Sequence, residues 1–178
     1  RPGRTVQLTA NSEYNWAEMY DEMDWLPGGR LNIAHEAIDR HANGRLRDKP
    51  AMVWQGRDGD RETYSYGRIK ELTNKFANVL KSLGVGRRDR VFTLMERLPE
   101  LYIALVGILK VGAIASPIPF DLGPDAVKKR LQGSAVKVLV TEPHLRRGIN
   151  PRTLGEPAQR RWGRPLQWLH RALRRPLP

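Results

Sequence analysis

The stretch DRVFTLMERLPELYIALVGILKVGAIASPIPFDLGPDAVKKRLQGSAVKVLVT, residues 89–141, determines the architecture of this chain. It contains three short apolar runs of strand length, separated by two segments of helical periodicity. The predicted strands are Val91–Met95, Ala113–Pro117 and Lys137–Thr141. Apolar strands that alternate with helices favour parallel pairing, with helices on both faces of the sheet. The sequence therefore predicts an α/β fold with a doubly wound sheet.

The two helices of this stretch have recognisable ends. Pro99 begins the first helix, since proline is favoured at a position whose N–H has no intrahelical partner. Gly112 follows that helix and is suited to the left-handed turn that ends it. The second helix is predicted to begin at Pro124 and to end at Gly133.

The clearest amphipathic helix of the chain precedes this stretch. Ser65 is a natural N-cap and Gly84 ends the pattern. Between them, apolar residues spaced three and four apart predict one buried face: Ile69, Leu72, Phe76, Val79, Leu80 and Leu83. Further upstream, the step from Asp58 to Gly59 lies between residues 51–54 and 62–64 and predicts a β-hairpin.

Two more helices are predicted near the beginning. Ser12 caps a short aromatic-rich helix that ends before Pro27, and Asn32 caps a second helix. The second helix is expected to place six residues on one face: Leu31, Ile33, Ala34, Ala37, Ile38 and His41. His35 and His41 lie about 240° apart around such a helix, so they cannot share a metal ion.

Several segments follow one another as they do in the N-terminal part of AMP-forming acetyl-CoA synthetases. They are residues 72–80, 89–91, 98–101, 109–114 and 138–141. On this basis the sequence resembles the adenylate-forming superfamily of acyl-CoA synthetases. The resemblance divides the chain into an N-terminal lead-in (1–30), the N-terminal part of an AMP-binding domain (31–143) and an Arg/Pro-rich tail (144–178).

The resemblance implies an intact cytoplasmic ligase that uses ATP, Mg²⁺ and CoA to convert acetate or another short acid to its acyl-CoA. In that family a Ser/Thr/Gly-rich loop ending in Lys holds the polyphosphate, and a catalytic Lys lies in a C-terminal lid. This sequence contains neither motif, and its last lysine is Lys137. We therefore expect an inactive portion of the enzyme with no catalytic residue, no metal ligand and no tight binding of these cofactors.

The resemblance also places three residues near CoA. Asp121 lies between a predicted strand and the next helix, which is the usual ligand side of an open α/β sheet, but the family has a small residue there. Arg146 and Arg147 match arginines that bind the CoA phosphate in some relatives, and guanidinium suits phosphate because it forms two parallel hydrogen bonds. The alternative for these arginines is a solvated turn, and the basic run 128–130 is expected to form an exposed helix face.

The composition excludes several kinds of site and segment. The chain has no cysteine, which excludes disulfides and thiolate metal sites. No apolar segment approaches the ~20 residues of a membrane helix. His144 and His170 have no carboxylate or histidine partner nearby in sequence that would indicate catalysis.

The tail supports a second class of function. Much of the net charge of +12 lies after residue 142, where nine Arg accompany a single Glu. With Trp162 and Trp168, this segment suits non-specific binding of nucleic acid or another polyanion, with an affinity that falls steeply with salt.

Residues 145–178 also differ from the rest in composition. All eight lysines occur at or before Lys137, and Arg, Pro, Trp and Leu then dominate. We interpret this segment as disordered and out of frame. If so, translation of another forward frame continues into a Ser/Thr/Gly-rich loop ending in Lys. Finally, the strand around Val138 is expected to leave an open sheet edge that allows self-association.

Overall fold

The computed structural model describes residues 16–145. In chain order its elements are α1 (Trp16–Glu22), a π-helical segment (His35–Asp39), α2 (Arg40–Ala42), β1 (Pro50–Gln55), β2 (Arg61–Ser65), α3 (Tyr66–Ser82), β3 (Arg90–Leu94), α4 (Pro99–Lys110), β4 (Ile114–Ile118), α5 (Pro124–Gln132) and β5 (Val136–Thr141). The predicted alternation of strands and helices is confirmed, with strand ends shifted by one residue, as is usual for such boundaries.

The central sheet has three strands in the order β4-β3-β5, and both pairings are parallel. Val91 in β3 pairs with Ala115 in β4 and with Val138 in β5. The predicted parallel sheet is therefore confirmed. Within residues 16–145, β4 and β5 are its two edges.

Helices cover both faces of this sheet. Side chains alternate along β3, so Val91 points to one face and Phe92 to the other. One face packs on α3 and α4 through the helix-pair core, which consists of Tyr64, Ile69, Leu72, Phe76, Leu80, Val85, Val91, Met95, Ile103, Ala104, Ile108, Ala113, Val138 and Val140. The other face packs on α5 through the α5 core, which consists of Phe92, Leu94, Ile118, Val127, Leu131 and Val136. The doubly wound arrangement is confirmed.

The ends of α3 and α4 follow their sequence signals. The Ser65 Oγ atom accepts a hydrogen bond from the backbone N–H of Arg68 at 3.2 Å, which satisfies one of the free donors at the start of α3. Gly84 and Gly112 follow the two helices with φ angles of 73° and 75°. These are left-handed conformations that glycine adopts without steric cost.

The predicted hairpin forms from β1 and β2, which pair antiparallel. Gly59, with φ of 91°, lies in its turn. Ala51 and Met52 pack against the helix-pair core, and Tyr64 is part of it. The hairpin therefore extends this core beyond the sheet.

The second predicted helix differs from the expectation. The Asn32 cap is confirmed, since its Oδ1 atom accepts hydrogen bonds from the N–H groups of Ala34 and His35 at 2.9 and 3.3 Å. The expected apolar face is confirmed only in part: Ala34 is buried and Ile38 packs against the helix-pair core, but Leu31 and Ile33 are 47% and 62% exposed, and Ala37 is also exposed. Residues 35–39 form a π-helical segment, whose i→i+5 bonds depart from the periodicity that the prediction assumed, whereas Leu31 and Ile33 lie before this segment.

The predicted Ser12 cap lies outside the described residues. Across residues 16–145, the helices are too short or too polar to span a bilayer.

Candidate functional site

The candidate site is the edge of the sheet where the three parallel strands end. Leu94 pairs with Ile118 in β4 and with Thr141 in β5, so the three carboxyl ends lie side by side. Three connections leave from this edge: residues 95–98, 119–123 and 142–145. Ligands of open α/β sheets bind outside the carboxyl ends of strands, which makes this edge the expected ligand side.

Asp121 lies in the connection after β4, as predicted. It is exposed, and its carboxylate has no hydrogen-bond partner within residues 16–145. Leu122, the next residue, packs against the α5 core and fixes the loop to the protein body. The position agrees with the expected ligand side, and the contact of Asp121 with CoA stays a prediction.

Arg146 and Arg147 lie outside the described residues. The residue before them, Leu145, packs against the same α5 core as Leu122. The Asp121 loop and the start of the arginine segment are therefore anchored on one face of the sheet. The exposed positions of Lys128, Lys129 and Arg130 on α5 confirm the prediction of a solvated basic face.

A polar brace joins the connections after β3 and β5. The Glu142 carboxylate accepts a hydrogen bond from the backbone N–H of Glu96 at 2.7 Å, and its side chain is only 14% exposed. His144 Nε2 lies 3.1 Å from Glu96 Oε1, and its Nδ1 lies 3.9 Å from Glu142 Oε2. The expectation that His144 has no carboxylate partner nearby in sequence was wrong, because Glu142 lies two residues before it; the fold also brings Glu96 to it from 48 residues away.

The connection after β3 is also held from the hairpin side. The indole N–H of Trp54 in β1 donates a hydrogen bond to the carbonyl of Arg97 at 2.7 Å. The same four-residue connection thus contacts β1 at Arg97 and the β5 end at Glu96. These two hydrogen bonds attach the connection after β3 to β1 and to the end of β5.

Glu100 at the start of α4 and Tyr64 in β2 are both buried. Glu100 is only 8% exposed, and the Tyr64 hydroxyl donates a hydrogen bond to the Glu62 carboxylate. Burial raises the pKa of Tyr64, as do its hydrogen bond to Glu62 and the charges of Glu62 and Glu100. Tyr64 therefore stays a neutral hydrogen-bond donor over the physiological range, which suits a structural role beneath the edge.

Within residues 16–145, no group of three or more His, Asp or Glu side chains is placed to hold a metal ion. Glu96, Glu142 and His144 contact one another in a brace. The described part of the edge thus consists of this brace, the Asp121 loop and residues 142–145, which lead to two arginines.

Comparison with known proteins identifies the family of this chain. Residues 38–165 match the family of AMP-binding enzymes, which is more than half of the chain. The chain therefore belongs to the AMP-binding enzyme family. The resemblance inferred from the sequence is confirmed.

Several of the individual relatives are named as CoA synthetases. The chain is 43% identical over 133 residues to an acetyl-coenzyme A synthetase of Bacillus subtilis, covering 74% of this chain and 23% of the relative. It is 36% identical over 138 residues to a 3-hydroxypropionyl-coenzyme A synthetase of Metallosphaera sedula, covering 75% and 21%. The chain thus spans less than a quarter of the length of these relatives.

A solved structure has the same fold. An acyl-CoA synthetase of Brucella canis superposes with a TM-score of 0.66 and 24% identity, covering 76% of this chain and 24% of that protein. This agreement concerns the arrangement of helices and strands.

Proposed function

We propose that this chain is the N-terminal portion of an AMP-forming ligase that joins a short carboxylic acid to CoA in the cytoplasm. In that reaction a carboxylate oxygen attacks the α-phosphorus of ATP and releases pyrophosphate. The CoA sulfur then attacks the acyl carbon, and AMP leaves. The observation that supports this proposal most strongly is the 43% identity over 133 residues to an acetyl-coenzyme A synthetase.

Acetate is the first candidate for the acid, by similarity to relatives named as acetyl-coenzyme A synthetases. The relative named as a 3-hydroxypropionyl-coenzyme A synthetase is 36% identical over a similar length. Relatives that are similar to this chain over the same region are thus named for more than one short acid. We assign this chain to short acids as a class.

Within the active site of the proposed ligase, we assign to this chain the residues that contact CoA. The Asp121 loop and the Leu145 anchor lie on one face of the sheet, and Arg146 and Arg147 directly follow that anchor. Guanidinium groups bind phosphate by paired hydrogen bonds, which suits the phosphates of CoA. No step involving Mg²⁺ or the ATP polyphosphate is assigned to the described residues, because none of them forms a suitable cluster.

The activity is tested by transplanting this portion into a complete relative. Residues 31–143 replace the matching segment of the Bacillus subtilis acetyl-coenzyme A synthetase, and acetate-dependent exchange of pyrophosphate into ATP is measured. We expect the chimera to retain exchange and the isolated chain to show none, because the chain lacks a polyphosphate loop. A chimera that folds, as judged by circular dichroism and thermal melting, but shows no exchange contradicts the proposal.

The CoA assignment has a separate test in the isolated chain. Weak CoA binding is measured by titration, with dephospho-CoA as the comparison ligand. Replacing both Arg146 and Arg147 with Gln is expected to weaken CoA binding, and Asp121→Gly to strengthen it by removing a carboxylate near the phosphates. The double replacement of Lys128 and Lys129 with Gln is the charge-matched control. Equal effects of the two double variants contradict the assignment.

A further inference from the structure

A polar pocket lies at the C-terminal end of α4, away from the carboxyl edge. Pro99, the first residue of α4, follows the carboxyl edge of β3, and Lys110 is its last residue. The pocket has a volume of about 410 Å³ and is formed by the π-helical segment, α3, the end of α4 and the turn at Leu26. We call it the Lys110 pocket. Its polar lining residues are Asn32, His35, Asp39, Asn74, Asn78, Lys81 and Lys110.

Lys110 is an unusual residue for the floor of a pocket. Its side chain is only 8% exposed, and its ammonium group donates hydrogen bonds to Asp39 Oδ1 and Asn74 Oδ1, each at 2.6 Å. Burial lowers the pKa of Lys110, while Asp39 opposes this change and the charge of Lys70 adds to it. An ammonium group has three N–H donors, and the third has no acceptor within residues 16–145.

The remaining hydrogen-bonding capacity of the pocket consists mainly of donors. The amide of Asn78 and the ammonium of Lys81 have no partner within residues 16–145, and the Asn74 side-chain N–H₂ group is also unused there. Asn74, Asn78 and Lys81 are four and three residues apart, so they project from one face of α3. In contrast, both ends of the Asn32 amide are engaged, since its Nδ2 atom donates to the Leu109 carbonyl at 3.0 Å and its Oδ1 atom caps the helix.

The charges around the pocket leave an unpaired cation. Asp39 neutralises Lys110, and Asp24 lies 2.8 Å from His35. Lys81 has no acidic partner in the described part of the chain. In addition, a π-helical segment forms one wall, and such segments occur frequently at functional sites.

We propose that the Lys110 pocket binds a small oxyanion, a phosphate or a carboxylate, through Lys81, Asn78, Asn74 and the free N–H of Lys110. Donors that converge on a concave surface next to an uncompensated cation are the features that such a ligand requires. This site lies away from the carboxyl edge and does not depend on the proposed ligase function.

The test is calorimetric titration of the full chain with sodium phosphate and with sodium acetate at constant ionic strength, with chloride as the reference anion. We expect saturable binding of at least one oxyanion. Lys81→Gln should weaken it about tenfold, the effect of one charge-assisted hydrogen bond. Lys128→Gln on α5 removes the same charge elsewhere and should leave binding unchanged. Since Lys81 is exposed, neither variant is expected to impair folding.

The two ligands separate the possible sources of the oxyanion. Binding of phosphate alone assigns the site to phosphate groups, and binding of acetate alone assigns it to carboxylates. Binding of both supports a general oxyanion site. The proposal is overturned if neither anion binds saturably, or if Lys81→Gln and Lys128→Gln weaken binding equally.

Discussion

Gly107 in α4 lies directly against Phe76 in α3, so a Cβ atom at position 107 would be 2.7 Å from Phe76 Cδ1 and 3.2 Å from the Thr73 carbonyl oxygen. Phe76 is fully buried, and the backbone of Thr73 belongs to α3, so neither neighbour can move freely. The absence of a side chain at residue 107 is what allows the two helices to approach.

This contact predicts that Gly107→Ala is destabilising. Alanine gains about 1 kcal/mol in helix propensity over glycine, but overpacking a close contact typically costs ~1–3 kcal/mol. We expect a net loss of free energy of unfolding, measured by urea denaturation. Gly133→Ala is the control, because a Cβ atom there would meet only the Lys129 carbonyl at 3.9 Å. A Gly107→Ala variant as stable as the native chain would contradict the packing argument.

A substitution at Thr93 in the central strand is expected to increase the free energy of unfolding. Its side chain is fully buried, and its Oγ1 atom has no hydrogen-bond partner among residues 16–145. Thr93→Val keeps the shape and removes an unpaired hydroxyl, whose burial costs ~1–3 kcal/mol. We therefore expect Thr93→Val to increase the free energy of unfolding by about 1 kcal/mol.

Thr73→Val serves as the comparison for Thr93, since Thr73 is equally buried but its Oγ1 donates to the Ile69 carbonyl at 2.7 Å. This substitution removes a satisfied hydrogen bond and should not stabilise the chain. Chemical denaturation of both variants under identical conditions compares them. The prediction is wrong if Thr93→Val is the less stable of the two.

The contacts of Asp89 are expected to make the free energy of unfolding depend on pH. Its carboxylate accepts hydrogen bonds from Lys137 Nζ at 2.6 Å and from the backbone N–H of Gly86 at 2.7 Å. These two donors, the Lys137 ammonium first, hold the pKa of Asp89 below its ordinary value. A lowered pKa in the folded state means that the ionised carboxylate stabilises the chain above the unfolded pKa of ~3.9.

The contribution of Asp89 is therefore complete at neutral pH and is lost as the pH falls through the lowered pKa. Asp89→Asn should be less stable than the native chain at pH 7, and the difference should shrink below about pH 4. Urea denaturation at several pH values measures this difference. Asp121→Asn is the control, because Asp121 is exposed and unpaired in the described part of the chain. A difference that stays constant with pH would exclude the carboxylate as its cause.

The features that could be predicted from sequence are those set by neighbouring residues. The Ser65 cap joins residues three apart, and the conformation of Gly112 follows from the helix before it. The position of Asp121 on the ligand side followed from its place between a strand and a helix. Such signals depend on local spacing, which the sequence displays directly.

The features that escaped prediction join distant parts of the chain. Glu96 and Glu142 are 46 residues apart, and Lys110 and Asp39 are 71 residues apart. Their contacts depend on strand order and on helix placement, which periodicity does not specify. Likewise, Ile33 had the spacing of a buried residue but is 62% exposed.

The last prediction concerns the two edges of the sheet. Within residues 16–145, β4 and β5 each present one unpaired side. In β4 that edge includes Pro117, which has no N–H to donate, whereas β5 contains no proline. We therefore expect the chain to self-associate through β5, with an apparent mass in sedimentation equilibrium that rises with concentration.

Ser116 and Leu139 occupy corresponding positions on the two edges, because both pair with Phe92 and both are half-buried, although Leu139 also packs against the α5 core. A lysine on an edge strand opposes pairing by charge repulsion and desolvation. Leu139→Lys should thus reduce association, while Ser116→Lys should leave it unchanged. Circular dichroism establishes that each variant retains its fold. If Ser116→Lys reduces association as strongly as Leu139→Lys, then β5 is not the interface; if the native chain is monomeric at every concentration, the edge does not associate at all.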